Sequence, residues 1–495
     1  SAATVTYSAS AIANPDIWVV SVSARDDARL VTRSVTADGN RITVRAFPDD
    51  PAWGSFVDGR VAKGVPELEK LIGLRWPAAD RLVVTETVTP YLYGYAGWFI
   101  PNANIIEIGD ALDPQVILHE MSHLWFNDQL FDERWIDEGL AQEYGSRAVA
   151  QLGGKLLAPA PVNERDPGAI ALDNWSNVNL QDPNSQARET FGYNAAWFVI
   201  HRVTGEIGLP AMRRVFLAAT KRMLPYAGTE NRDGSVDRSW HTFLDYLDEI
   251  GHSKRADALF ATYVAPAGDG NLTQRRDARA SYARLLAASG GWNAPLVLRE
   301  AMSSWDFFTA DSLLPQAHAV AVLHAQIERA VKPLGLHSPA RLQADYEYRV
   351  GDLAAVQREA TTDETAAHEL VAASASVHGH HGLFATIGLI GAGDRSDLAR
   401  ARQSFSSGNA AQARADARSA ERAVADASGA GTLRSGVALG VVLLLAAAVW
   451  LLRRRARRRR EAVVEVPEPG GVGADALSVP VGGPGNDDVG SGEAG

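Results

Sequence analysis

The segment HEMSH, residues 119–123, brings two imidazoles and a carboxylate close together in the sequence. Residues four apart on an α-helix are separated by roughly 40° around its axis, so His119 and His123 project from one face, one turn apart. That spacing suits a zinc ion, which in catalytic sites takes three protein ligands and leaves one position open to water. Glu120 lies beside the pair and is predicted to take a proton from the attacking water without binding the metal.

A third ligand is expected from the segment WIDEGLA, residues 135–141. Fourteen residues separate His123 from Glu138, which is enough for a turn and the first turn of a second helix. Most neighbours of Glu138 are apolar, so its carboxylate is predicted to face the interior, where an unpaired charge is costly and a metal ion relieves that cost. We therefore predict one Zn²⁺ bound by His119, His123 and Glu138. The alternative is a degenerate or purely structural remnant of such a site.

The helices that carry these ligands have recognisable ends. Asp113 is predicted to cap a helix that begins at Pro114 and runs to about Phe126, because an aspartate can accept backbone N–H bonds and a proline suits the first helical position. A second helix is predicted from about 132 to the glycines at 153 and 154, and a third from about 192 to 204.

Short β-branched runs precede these helices and alternate apolar with polar residues, which is typical of strands. They are TVTYSAS, DIWVVSVSA and NRITVRAF within residues 1–50, RLVVTETV at 81–88 and NIIEIGD at 104–110, with a helix predicted over 57–72. The last strand is predicted to lie at a sheet edge, where Asn104, Ile105 and Ile106 would pair with an extended peptide. Glu107 is predicted to face solvent.

The composition restricts the class of protein. A chain of 495 residues with 46% hydrophobic residues is expected to fold into several domains. A net charge of −11 argues against a nucleic-acid-binding protein, which usually displays a basic surface. The absence of cysteine excludes disulfides, thiolate metal ligands and a cysteine nucleophile.

The C-terminal region carries a predicted membrane anchor. Residues 436–452 are 17 uncharged residues, which as a helix span nearly the ~30 Å of a bilayer core. Seven arginines follow within 453–460 and indicate the cytoplasmic side, so the N-terminal part should lie outside the cell and the Gly/Pro-rich, disordered tail inside. Because the chain begins with Ser1, we expect that an export signal was removed or left out. The Ala/Arg-rich composition favours a bacterial cell membrane.

The motifs HEMSHLWFND and WIDEGLA resemble those of the gluzincin metallopeptidases, in particular the aminopeptidase N-like and peptidase MA-like groups, over about residues 95–264. The resemblance implies an α+β, thermolysin-like catalytic domain in which His119, His123 and Glu138 hold zinc and Glu120 is the general base. The segment at 189–216 resembles the family's downstream helix and implies that the phenol of Tyr193 stabilises the oxyanion. A tyrosine that only packs at a helix start is the alternative.

One departure from the aminopeptidase N pattern bears on specificity. Those exopeptidases hold the free amino terminus of the substrate with a glutamate in an upstream Gly-x-Met-Glu-Asn stretch, whereas GYAGWFIPNANIIEIGD has no acid between Gly94 and Ile106. The sequence therefore favours an endopeptidase that cleaves peptides or proteins. The alternative from another class is a surface protein that kept the peptidase fold and acts only as a binding or scaffold module.

The sequence thus divides into five predicted parts. They are an N-terminal β-rich segment (1–50), a zinc metallopeptidase domain (51–265), an α-helical spacer (266–432), a single transmembrane helix (433–452) and a basic block with a cytoplasmic tail (453–495). Within the spacer, residues 397–427 are predicted to form a helical hairpin. The cluster HGHH at 378–381 is interpreted as a mobile loop rather than a second metal site.

Overall fold

The structure of the protein is a computed structural model that describes residues 8, 13–14, 26–77, 82–88, 92, 94–176, 184–226, 237–349 and 351–461. The strand predicted at 16–24, all but Ser8 of that at 4–10, and the tail after 461 lie outside the described residues. The chain forms two compact units. The first extends to Ala372 and includes Arg400–Ala415, and the second comprises Ala373–Ala399 and the chain from Asp416 onward.

A five-stranded sheet forms part of the first unit. Its strands are β1 (Val31–Ala37), β2 (Asn40–Ala46), β3 (Leu82–Glu86), β4 (Gly97–Ile100) and β5 (Ile105–Ile108), in the order β1-β2-β3-β5-β4. β2, β3 and β5 are parallel, and β1 and β4 pair antiparallel with their neighbours. Asp38 and Gly39 join β1 to β2 and both have positive φ, as a two-residue hairpin turn requires.

The sheet order corrects one prediction. β5 pairs with β3 on one side and with β4 on the other, so the prediction that the strand at 104–108 forms the sheet edge is wrong. Asn104, Ile105 and Ile106 do not offer the free strand edge on which their predicted substrate-binding role rested. Among the described strands, β4 holds that edge position. The prediction that Glu107 faces solvent is also wrong, since this residue is 3% exposed and accepts a 2.9 Å hydrogen bond from Trp98 Nε1.

The predicted helices are present with revised ends. They are α1 (Pro51–Ile72), α2 (Pro114–Ser122), α3 (Arg134–Gln151) and α4 (Ser185–Thr220), which breaks its helical geometry at Gly208. Each of α1 and α2 begins at a proline preceded by an aspartate whose side chain accepts a backbone N–H. The four helices and the sheet contribute to one buried apolar core. The architecture is therefore mixed α and β, with helix predominant.

The helices that follow α4 are joined by buried contacts across the predicted domain boundary at 265. They comprise α5 (Trp240–Asp245), a π-helical turn (Tyr246–Ile250), α6 (Ala256–Tyr263), α7 (Asn271–Ala288), α8 (Leu296–Ser303), α9 (Phe307–Val331) and α10 (Ala340–Tyr348). Arg275 on α7 is fully buried and donates to Asp245 and Asp248, at 2.6 and 2.8 Å from its Nη2. This ion pair crosses the predicted boundary at 265. The predicted boundary at 50 likewise divides a single sheet.

The remaining helices are α11 (Leu353–His378), α12 (Leu383–Leu389), α13 (Asp394–Ser406) and α14 (Ala410–Glu461). The HGHH cluster lies where α11 ends and the following loop begins. Within the described part of the chain, one helix is long and apolar enough to cross a membrane, and it lies in α14. Its most apolar window has a mean hydropathy of 2.5 and is not buried by the protein, which fits a membrane-associated segment.

Candidate metal centre

Three side chains converge where α2 packs against α3. His119 Nε2 lies 3.2 Å from His123 Nε2 and 3.2 Å from Glu138 Oε2, and His123 Nε2 lies 3.6 Å from the same oxygen. The donor atoms of the three residues all lie within 4.8 Å of one another. In the described residues this is the one group of three or more His, Asp or Glu side chains with such geometry. The residues paired by sequence spacing are thus brought together in space.

Glycines allow the helices to approach closely enough for this convergence. A Cβ at Gly145 of α3 would lie 2.9 Å from the backbone nitrogen of His119, and one at Gly139 would lie 2.8 Å from Ala196 O of α4. Real side chains do not tolerate such contacts, so α3 rests with its backbone against both neighbours. Glu138, which directly precedes Gly139, is thereby held opposite the two histidines.

The outer nitrogen of each histidine is held by a partner. His119 Nδ1 lies 2.9 Å from Gln142 Oε1, and His123 Nδ1 lies 3.0 Å from the carbonyl oxygen of Phe126. Both partners accept, so each Nδ1 donates a hydrogen and each Nε2 faces the cluster, where a neutral imidazole would offer its lone pair to a metal ion. Such partners orient metal-binding imidazoles and fix their tautomers.

The carboxyl of Glu138 is ionised in this cluster. Burial alone would raise the pKa of Glu138, but hydrogen bonds from His119 and His123 outweigh it and the pKa is lowered. Burial alone would lower the pKa of His123, yet the hydrogen bond and charge of Glu138 raise it to about 10. An ionised carboxylate thus lies beside two imidazoles that it holds in place. Two imidazole nitrogens with one carboxylate oxygen form a donor set that fits zinc.

Glu120 occupies the inner side of α2 next to the cluster. It is 6% exposed, and burial raises the pKa of its carboxyl against the opposing effect of His119 and His123. A Cβ at Gly97 would lie 3.0 Å from Glu120 Cγ, so the backbone of β4 passes directly against this side chain. A buried carboxyl next to the proposed ligands is placed to accept a proton and return it.

The hydroxyl of Tyr193 reaches the same cluster from α4. It lies 3.5 Å from Glu138 Oε1, and its ring packs edge-on against Trp175 with 5.0 Å between centroids. Tyr193 lies in the third turn of α4, not at a helix start. Burial and the charge of Glu138 raise its pKa, so the phenol keeps its proton at neutral pH.

An ion pair behind Tyr193 was not predicted from the sequence. Arg134 Nη2 donates to the Tyr193 hydroxyl at 3.2 Å, and both Nη atoms donate to Glu189, at 2.8 and 2.7 Å. Glu189 also accepts from Trp175 Nε1 and from the Tyr95 hydroxyl, at 2.9 and 3.1 Å. A signal was available, since Arg134 and Glu189 each precede a predicted site residue by four positions, one helical turn.

A scan against protein-family models and a search of curated proteins each found no match to this chain.

Proposed function

We propose that the protein is a membrane-anchored zinc metallopeptidase that hydrolyses peptide bonds in peptides or proteins outside the cytoplasm. The observation that carries this proposal is the convergence of His119 Nε2, His123 Nε2 and Glu138 Oε2 beside the buried carboxyl of Glu120. His119, His123 and Glu138 would hold the ion. Zinc in such a site acts as a Lewis acid toward a substrate carbonyl and makes a coordinated water more acidic.

Two side chains of the chain have complementary roles in the proposed reaction. Glu120 takes a proton from the attacking water and passes it to the leaving amine, a role supported by its burial and by its place beside the ligand His119 on α2. Tyr193 donates its O–H to the carbonyl oxygen as negative charge develops there. Arg134 is a positioning residue, because its hydrogen bond to the Tyr193 oxygen leaves the phenolic proton to point elsewhere.

Endopeptidase activity is favoured over aminopeptidase activity. No acid is present between Gly94 and Ile106, where the resemblance would place the amino-terminal anchor. Glu189, one helical turn before Tyr193 on α4, has both oxygens bonded to Arg134, Trp175 or Tyr95. The Glu189 carboxylate is therefore occupied by bonds within the protein and is not free to hold the amino terminus of a substrate. An extended substrate peptide would pair with β4 instead of β5, because β4 is the strand at the sheet edge. The backbone of β4 at Gly97 lies against Glu120.

The membrane part of the proposal is supported by α14. Its apolar stretch has the length of a single span, and the arginines at 453–459 follow it within the same helix. In this orientation the predicted zinc site lies outside the cytoplasm, with the C-terminal end of α14 on the cytoplasmic side.

The test is metal analysis and peptide cleavage on the full chain in lipid nanodiscs. The purified protein should contain one zinc per chain and cleave a random peptide library at internal bonds, and 1,10-phenanthroline should stop the cleavage. Glu120→Gln should keep the zinc and lower turnover by roughly 10²- to 10⁴-fold. Glu138→Gln should lose the zinc. Glu143→Gln, a buried glutamate on α3 outside the cluster, is the matched control.

Three results would overturn the proposal. The first is a protein without stoichiometric zinc, and the second is a Glu120→Gln variant that cleaves at the parent rate. The third is zinc at full occupancy with no cleavage of any library peptide, which would favour the binding or scaffold module instead.

A further inference from the structure

α12 packs backbone to backbone against α14 just before the apolar stretch of that helix. A Cβ at Gly388 would overlap the carbonyl oxygen of Ala427, and a Cβ at Gly431 would overlap that of Phe384. Both contacts lie within the second unit. Because only glycine permits so close an approach at either point, the position of α12 along α14 is well defined.

Arg434 fixes the end of α12. Its Nη1 lies 3.0, 2.9 and 2.8 Å from the carbonyl oxygens of Ile387, Gly388 and Ile390. Carbonyls at the end of a helix have no partner within the helix, and a cation there also meets the negative end of the helix dipole. Arg434 precedes Gly436, the first residue of the apolar run, by two positions.

The chain around α12 is apolar and faces outward. Residues 382–393, GLFATIGLIGAG, contain no charged side chain. Leu383 is 74%, Phe384 50% and Ile390 70% exposed, and Leu433 at the adjoining level of α14 is 70% exposed. Clustered apolar side chains of this kind mark a surface that another apolar phase covers.

We propose that α12 and the turn through Ile390 lie in the outer headgroup region of the bilayer that α14 crosses, with lipid as the covering partner. α12 packs against α14 at Ala427 and Gly431, shortly before the exposed apolar residues from Val437 onward that lead into the span. Gly431 and Gly436 are five residues apart, ~7.5 Å along a helix, which matches the ~5–10 Å depth of interfacial segments. Arg434 lies where an arginine reaches lipid headgroups.

This inference does not depend on zinc or on peptidase activity. It assigns a second membrane contact to the chain beside the span itself. α12 is held to α14 by two glycine contacts and by Arg434, so the two helices would enter the membrane interface as one body. α12 would thereby fix the direction in which α14 leaves the membrane.

The absence of cysteine makes a direct test available in the full chain. Phe384→Cys and, separately, Ile390→Cys are labelled with an environment-sensitive fluorophore and reconstituted into vesicles of phosphatidylcholine with phosphatidylglycerol. Quenching is compared between lipids with a nitroxide near the headgroup, lipids with a nitroxide deep on the acyl chain, which are the quencher for the label at 444, and iodide in the aqueous phase. Phe308→Cys on α9, where the native side chain is 90% exposed, is the aqueous control, and Leu444→Cys is the control within the span.

Labels at 384 and 390 should be quenched by the nitroxide lipids roughly twofold or more, and by iodide much less than the label at 308, as expected for a segment at interfacial depth. Quenching like that at 308, while 444 responds to lipid, would overturn the proposal and leave the span intact. Protection from both quenchers would also overturn it, because a protein surface such as a second copy would then cover the segment. A label at 444 that lipid does not quench would remove the span and the proposal together.

Discussion

Arg134 Nη2 lies 3.2 Å from the hydroxyl oxygen of Tyr193, and the same guanidinium forms a two-bond ion pair with Glu189. Arginine can only donate, so the tyrosine oxygen accepts and its own proton is free to point toward the cluster, where Glu138 Oε1 lies 3.5 Å away. The side chain of Glu189 is 9% exposed, and the pair is therefore held in a largely dry environment. This arrangement orients a hydrogen-bond donor beside the predicted zinc ligands.

Removing Arg134 should lower turnover without removing zinc. Arg134→Met alone would leave Glu189 charged, buried and unpaired, at a cost of about 3–5 kcal/mol, so Glu189→Gln is combined with it. In the double variant we expect kcat to fall by about tenfold or more, with KM and zinc content near those of the parent, since Tyr193 loses its orienting bond. Peptide cleavage kinetics and metal analysis provide the measurement.

Arg134→Lys is the matched conservative change. Lysine keeps the charge but cannot bond Glu189 and Tyr193 with the same planar fork, so it should recover turnover only in part. A double variant with the parent's kcat would show that the ion pair supports the fold alone.

Tyr193→Phe tests the proposed donor itself. The substitution keeps the ring that packs edge-on against Trp175 and removes only the hydroxyl. We expect kcat to fall by about 10²- to 10³-fold, as for loss of one oxyanion donor, with unchanged zinc content and melting temperature. If the variant turned over at the parent rate, packing against Trp175 would be the whole role of Tyr193.

The convergence of His119, His123 and Glu138 was predictable because the residue pattern that indicates it lies within two short segments of the sequence. His119 and His123 share one helical face by spacing alone, and the apolar surroundings of Glu138 indicate burial on the next helix. Gln142 follows Glu138 by one turn, and Arg134 precedes it by one turn, so both were within reach of the same argument. Partners that lie on another helix, such as Glu189 of α4 for Arg134 of α3, could not be predicted in this way because they depend on how the helices pack.

The sheet was less predictable because strand order is set by contacts between distant segments. β5 has the same alternating pattern whether it lies at an edge or inside, and its neighbour β4 has only four residues. Two local signals were nevertheless present. Asp38-Gly39 is a strong hairpin turn that predicts β1, and Asp50-Pro51 repeats the helix start found at Asp113-Pro114.

Gln142 should affect metal affinity more than stability. Gln142→Leu removes the acceptor for His119 Nδ1–H, and loss of such a partner typically weakens metal binding about 10- to 100-fold. Gln142→Glu keeps an acceptor and should bind zinc at least as tightly as the parent. Competition with a chromophoric chelator measures the Kd. Gln151→Leu, at the exposed end of α3, is the control, and equal Kd values for the two leucine variants would contradict the assigned role.

Glu86 at the end of β3 should make stability depend on pH. It is 1% exposed, and burial raises its pKa to about 7, although the Phe47 N–H bonded at 2.7 Å opposes the shift. The folded chain therefore keeps this proton at pH values where the unfolded chain has released it. Stability contributed by this group is fully present below about pH 4.5 and is lost as pH rises through about 7.

Glu86→Gln should remove that dependence, because the amide stays neutral and its oxygen can still accept from Phe47 N–H. We expect the variant to match the parent near pH 4.5 and to exceed its stability by about 3 kcal/mol at pH 8, seen as a higher melting temperature of the full chain. Glu164→Gln, at an exposed position, should show no such difference between the two pH values. A Glu86→Gln variant that melts below the parent at pH 8 would mean that the ionised carboxylate stabilises β3, opposite to the sign argued from its burial.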